Sequence, residues 1–334
     1  MNLAFAIRTL RWMVRDTFRQ SVATKLFWAM LAITFVCTLF CLSMTVTGDT
    51  PSSGKDYDAG GFITPAQAKE LGEEKVKKEK LKVVSGEVSF GFGLMTVPIA
   101  RYKDDAVRYV QIWLAAILAD TAGVLLALLW TAGFLPTFLE PQSSTVLLAK
   151  PAPRWAILLG KYLGVVLFVA VQATIFVGAT WLALGFKTGV WNGTYWLAVP
   201  LLVLNFGIFY SVSAFLAVVS RSTVVCIFGT LLFWLLCWTV NYTHLRLLAQ
   251  PVEGLGAMSG VLLDAIYWIL PKPLDLGGIF YDSMRATGFA APVPELDAVQ
   301  KKGLFRPELS ALASALFAPV VLFFAAFEFK STDY

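Results

Sequence analysis

Between residues 155 and 186 the chain carries a single charge, Lys161. A helix of that length, at 1.5 Å per residue, exceeds the roughly 30 Å hydrocarbon core of a bilayer. Comparable apolar runs occupy residues 26–47, 110–138, 195–219, 223–243 and 309–327. The composition agrees: 57% of residues are hydrophobic and 15% are charged, whereas soluble chains are about a quarter charged. Mean hydropathy is +0.69. A soluble fold of 334 residues has too much surface to hide this much apolar area. A cytosolic enzyme, a disordered regulator and a disulfide scaffold are therefore excluded, and a polytopic membrane protein is expected.

The net charge of +5 is read as an orientation signal and not as a nucleic-acid surface. Cys37, Cys41, Cys226 and Cys237 all lie inside apolar runs, where cysteine behaves as a small hydrophobe. There is no CxxC and no metal-ligand spacing. One histidine, His244, is too few for a multi-histidine metal site or a Ser-His-Asp arrangement.

Residues 1–25 interleave Arg8, Arg11, Arg15 and Arg19 with Leu3, Phe5, Ile7, Leu10, Trp12 and Val14. The pattern predicts an amphipathic helix lying in the membrane interface, or at least a basic flank that fixes topology. With Lys25, these charges put the N-terminus in the cytoplasm by the positive-inside rule. The first span, 26–47, is about 22 residues and reaches about 33 Å. Residues 48–108 then turn polar and form an expected extracytoplasmic α+β insertion. Thr64-Pro65 resembles an N-cap with proline at the first helical position, opening a charged helix to about Lys80. Residues 82–98 are rich in β-branched and aromatic side chains broken by glycine, which predicts a hairpin or a few strands.

Spans two to five fall within 109–244, and Asp120 lies inside the second. A carboxylate at membrane depth is costly, so it marks a transport group, a neutral acid, or a carboxylate hydrogen-bonded to a neighbouring helix. Lys161, near the start of span three, is expected to snorkel to the headgroups. Arg221 marks a tight turn between spans four and five. Residues 245–307 form an extracytoplasmic or re-entrant segment. Residues 255–270 are apolar but short, with Asp264 inside and Pro271 and Pro273 after, and length favours six spans over seven. The stretch after Pro273 reads as an ordered loop. Span six and a cytoplasmic tail take up 308–334.

The loop 139–152 and its exit carry the most specific pattern: LEPQSSTVLLAKPAPRWAILLGK over 139–161. Val146, Leu147 and Leu148 make an apolar ridge beside polar Glu140, Gln142, Ser143 and Thr145, and Pro151 ends the helix. Such a helix, held between two spans, is suited to pass rigid-body motion from a soluble partner into the bilayer; the alternative is a surface-lying loop helix with no partner. This stretch resembles the coupling loop of ABC-2 type ABC exporter permeases, E-x-G-T-L-x-L-L-L-S-K-P-x-x-R followed by G-K. Glu140, the run 146–148, Lys150-Pro151, Arg154 and Gly160-Lys161 match. Gln142 and Ser143 stand where Gly-Thr is usual.

The resemblance implies an all-α polytopic fold with six transmembrane helices, an N-terminal interfacial helix and a cytoplasmic coupling helix. It implies a permease half that pairs with a second half, identical or not, and docks a separate ABC ATPase subunit from the cytoplasm of a bacterial inner membrane. Membrane lipid is the other expected partner, and nucleic acid is not one. The chain itself has no P-loop: Trp155 occupies the first glycine position before Gly160-Lys161, and Tyr162 follows the lysine. No cofactor is therefore expected in this chain, ATP being held by the partner, and no catalytic role. The alternative is a secondary transporter or channel acting alone, for which Asp120 and Asp264 are the candidate groups.

Overall fold

The computed structural model describes residues 3–23, 25–51, 61–138, 153–250, 257–284 and 294–331. The chain is mostly helical. Five helical runs are long and apolar enough to cross a membrane: Lys103–Pro136, Arg154–Thr188, Gly193–Ser220, Thr223–Ala249 and Pro307–Ser331. A sixth is reached if the bent pair Ile7–Ala23 and Phe27–Ser43, inclined at 64°, counts as one span.

Two compact units share these elements. The first comprises Met1–Met30, Ala116–Thr174 and Leu197–Tyr334. It contains α1 (Leu3–Ala23), α6 (Val124–Thr131), α7 (Phe134–Phe138), most of α8 (Arg154–Thr188), α9 (Ala198–Ser220), α10 (Thr223–Ala249), α11 (Ala257–Ile269), α12 (Pro273–Ser283), α13 (Pro294–Lys301) and α14 (Pro307–Ser331). Helix α9 is the most enclosed, burying Phe206, Ile208, Phe209, Tyr210 and Ala214. Ile208 packs with Leu276 of α12 and Ala318 of α14. By contrast α10 and α14 turn Phe228, Leu232, Leu236, Leu316, Phe323 and Phe327 outward. An apolar surface of that extent is stable against lipid, not against water.

The second unit comprises Leu31–Ala115 and Ile175–Trp196. Strands β1 (Thr45–Gly48), β4 (Gly86–Phe90) and β5 (Met95–Ile99) form an antiparallel sheet in the order β1-β4-β5. Strands β2 (Gly61–Ile63) and β3 (Leu81–Val83) pair in parallel through α3 (Pro65–Leu71) and α4 (Glu73–Lys78). Thr64 and Gln67 cap α3 reciprocally, side chain to backbone in both directions, with Pro65 at the first turn. Met44, Val46 and Val88 pack on Ala106 and Val107 of α5 (Lys103–Ile112).

Several boundaries depart from the sequence expectation. Helix α2 (Lys25–Ser43) stops at Ser43, four residues short of the expected end of span one. Thr45, Val46 and Thr47 instead pair with Ser89, Val88 and Glu87. Their β-branched side chains suit a strand, and Val46 gains a place in the sheet's core. The charged helix expected to run to Lys80 breaks at Gly72, whose φ of 78° no helix admits. Helix α10 continues past the expected Thr243 to Ala249, so His244 lies within it. The stretch expected as a loop after Pro273 is helical in α12 and α13. Pro273 occupies the first turn, where its missing N–H costs nothing and its fixed φ favours the helix.

Candidate functional sites

The N-terminal helix is seated on α8 through small residues. Met13, Thr17 and Ser21, four apart, form its buried stripe. They face Gly160 and Gly164 of α8, where an added Cβ would come within 2.6 Å of Met13 Cβ and of Thr17 Cβ respectively. Backbones approach this closely only over small residues, the usual basis of helix packing in membranes. Phe168 adds ring contacts to Phe18 and Phe27 at 6.3 and 6.2 Å. Lys161 is 4% exposed and so does not snorkel. Its Nζ donates to Gln20 Oε1 at 2.9 Å and lies 3.8 Å from Asp16 Oδ2. The ammonium thus finds its partners on α1, and the trip to the headgroups is unnecessary. Arg8, Arg11, Arg15 and Arg19 occupy the opposite, exposed face.

Of the expected coupling residues, Glu140, Gln142, Ser143, Thr145, Val146, Leu147, Leu148, Lys150 and Pro151 lie outside the described residues. Arg154 opens α8 and donates from Nη1 to the carbonyls of Phe329 and Lys330, each at 3.4 Å. Both carbonyls belong to the last turn of α14, which has no intrahelical donors for them. A guanidinium there also meets the negative end of the helix dipole. The exit of the loop is therefore tied to the end of the last span.

Asp120 sits in a π-helical stretch, Trp113–Gly123, where Thr121 Oγ1 donates to the carbonyl of Ala116 five residues back. Such segments widen a helix and often occur at functional positions. Asn205 Nδ2 of α9 donates to Asp120 Oδ1 at 2.8 Å. Among the described residues no cation pairs with it. Asp120 is thus hydrogen-bonded to a neighbouring helix.

A polar knot not expected from the sequence joins α10, α11, α12 and α14. Asp275 of α12 is fully buried. It accepts from Asn241 Nδ2 at 2.8 Å, from Ser310 Oγ at 2.7 Å and from the Tyr267 hydroxyl. Asn241 Oδ1 in turn accepts from the amides of Leu274 and Asp275, free donors at the start of α12. Lys272, also fully buried, lies 4.8 Å from the Tyr267 ring centre and 5.0 Å from that of Trp268. Burial pushes the Lys272 ammonium below the usual lysine range, and Asp275 pulls it back up. His244 stacks on Tyr267 at 3.7 Å and meets Asp264 Oδ1 at 3.1 Å. Asp264, which the apolar run had made conspicuous, is thus an exposed residue with a partner. Among the described residues no three His, Cys, Asp or Glu side chains gather as a metal site.

The sequence model of the ABC-2 family transporter proteins matches residues 11–259, about three quarters of the chain. The chain belongs to the ABC-2 transporter family. No match was found among curated proteins. The family's members are transport membrane subunits and not themselves enzymes, so this is a multi-pass ABC-2 membrane protein. The match takes in Met13, Thr17, Asp120, the loop 139–152, Arg154 and Lys161. It ends inside α11, so Asn241 and His244 of the knot lie within it, and Tyr267, Asp275 and Ser310 beyond it.

Two of the features sequence reading missed had a signal. Gly160 and Gly164 are spaced as a small-xxx-small pair, the mark of close helix approach. Asn205 and Asn241 are amides inside apolar spans, and each finds a carboxylate on another helix.

Proposed function

We propose that this ABC-2 permease forms half of the translocation path of an ATP-driven exporter and couples transport to hydrolysis in a separate ATPase subunit. The observation that carries the reading is the family match, which spans the loop 139–152 and the helices on both sides of it. In this reading the chain makes six passes of a bacterial inner membrane, with both termini and the loop in the cytoplasm. A second permease half, identical or different, completes the path. Val146, Leu147 and Leu148 seat the coupling helix in the ATPase, with Glu140, Gln142, Ser143, Thr145, Lys150 and Pro151 shaping its ends. Closure of the ATPases on ATP pushes this helix, and α8 carries the push into the bilayer. Two contacts favour such a lever: Arg154 ties the loop's exit to the last turn of α14, and Lys161 ties α8 to α1. A loop exit held at two points moves its helices as a body instead of flexing alone.

Co-purification in mild detergent tests the reading. An ATPase bearing a P-loop should accompany the chain, and its activity should rise when permease is present. Asp at Val146, Leu147 and Leu148 together should abolish that rise while the chain still inserts. Loss of coupling supports the lever; retained coupling refutes the assignment of 139–152, and a chain that never brings down an ATPase refutes the permease reading itself.

A further inference from the structure

The β4–β5 hairpin ends in a tight turn, Gly91–Gly93, in which three successive residues have positive φ: Gly91 at 62°, Phe92 at 58° and Gly93 at 99°. The left-handed region is costly for a phenylalanine, and the flanking glycines are what make the turn possible. Its effect is to turn apolar side chains outward. Phe92 is 74% exposed, Leu94 93%, Met95 59% and Val97 40%. A run of four such side chains is unlike the scattered single hydrophobes of an ordinary wet surface.

The height of this tip is fixed by two apolar helices. Gly91 N donates to Ser43 Oγ at 3.3 Å, and Ser43 is the last residue of α2. Phe90 stacks on Phe40, one turn further into α2, at 6.0 Å. Lys187 Nζ, in the last turn of α8, lies 5.7 Å from the Phe92 ring centre. Around that same end of α8, Trp181 packs against Trp191 and Trp196, and Phe186 packs on Trp191. Tryptophan clusters of this kind sit at the headgroup level of a bilayer. The hairpin tip is therefore level with the place where two membrane helices end.

We infer that the tip Phe92, Leu94 and Met95 inserts into the interfacial layer of the bilayer, with phospholipid as its partner and Lys187 beside the phosphates. The hairpin then acts as a further foothold, pinning the sheet to the membrane beside the ends of α2 and α8. Addition of a foreign strand to β5 is the competing use of this surface. Pro98, within β5, has no N–H to offer a strand and opposes it.

Site-directed spin labelling tests the inference in the full chain reconstituted in vesicles. The three buried cysteines stay native, and the half-buried Cys37 is replaced by alanine. A nitroxide at Leu94→Cys should collide with dissolved oxygen in preference to an aqueous nickel chelate. A nitroxide at Lys77→Cys, on the exposed charged helix α4, should show the reverse, so the depth parameter changes sign between the two. Equal access of the chelate to both positions would overturn the inference, because the tip would then be in water. A nitroxide at 94 sheltered from both reagents would overturn it too, because a protein surface would then cover the tip. Leu94 is 93% exposed, so its replacement leaves the fold intact.

Discussion

Asp275 shows how one residue can organise several helices. A fully buried carboxylate survives only if its oxygens are satisfied, and here three donors do so. Replacing Asp275 by alanine leaves Asn241, Tyr267 and Ser310 without their common acceptor. The expected loss is about 3–5 kcal/mol, since several buried donors are left unsatisfied at about 1–3 kcal/mol each. Tyr267→Phe removes the hydroxyl that bonds Asp275 and lies 3.2 Å from Ser310 Oγ, leaves the other two donors to Asp275 in place, and should cost about 1.5–3 kcal/mol. Thermal unfolding of the detergent-solubilised chain reads both, and the alanine variant should melt well below the phenylalanine one. Equal melting temperatures would mean that Asp275 is not the hub. Beyond Asn241, an amide inside an apolar span, none of this was legible beforehand. Asn241 and Ser310 lie 34 and 35 residues from Asp275 on other helices, and no local pattern links residues that far apart. Asp264 drew attention instead, because a charge in an apolar run is visible in sequence and its exposure is not.

At the scale of elements the sequence is most readable where chemistry is local. Thr64, Pro65 and Gln67 start a helix by their own side chains, and the apolar runs are long enough to be helices whatever their surroundings. It is least readable where an apolar stretch has two uses. Thr45–Thr47 could continue a span or enter a sheet, and hydropathy is the same in both; the pairing with β4, some 40 residues away, decides. The seat of α1 on α8 lies between these cases, because the glycine spacing is visible but the facing stripe is not. Gly160→Val should drive Cβ into Met13 and cost about 1–3 kcal/mol through overpacking. Gly260→Ala meets nothing within 4 Å and should be neutral or slightly stabilising, since alanine is the better helix former. The two variants are compared by melting temperature. Should Gly160→Val melt with Gly260→Ala, the close approach of the two helices would not be a stabilising contact.

For the molecule as a whole the central quantity is sidedness, because a loop can receive a push from an ATPase only from the compartment that holds ATP. The argument for the cytoplasmic side is electrostatic. Arg8, Arg11, Arg15, Arg19 and Lys25 precede the first span, and the bias of basic residues in short flanks sets orientation. The charged helices α3 and α4 follow that first span directly. Loop 139–152 comes one span later, so the two lie on opposite faces whenever Lys103–Pro136 crosses the membrane once. In a Cys37→Ala background, a membrane-impermeant thiol reagent should therefore label Lys77→Cys in intact cells. It should label Ser143→Cys only after the membrane is opened. The reverse pattern would place residues 146–148 outside, where no nucleotide-driven motion can reach them. Labelling of both positions in intact cells would show that the run 103–136 does not cross, and the six-pass arrangement would fall with it.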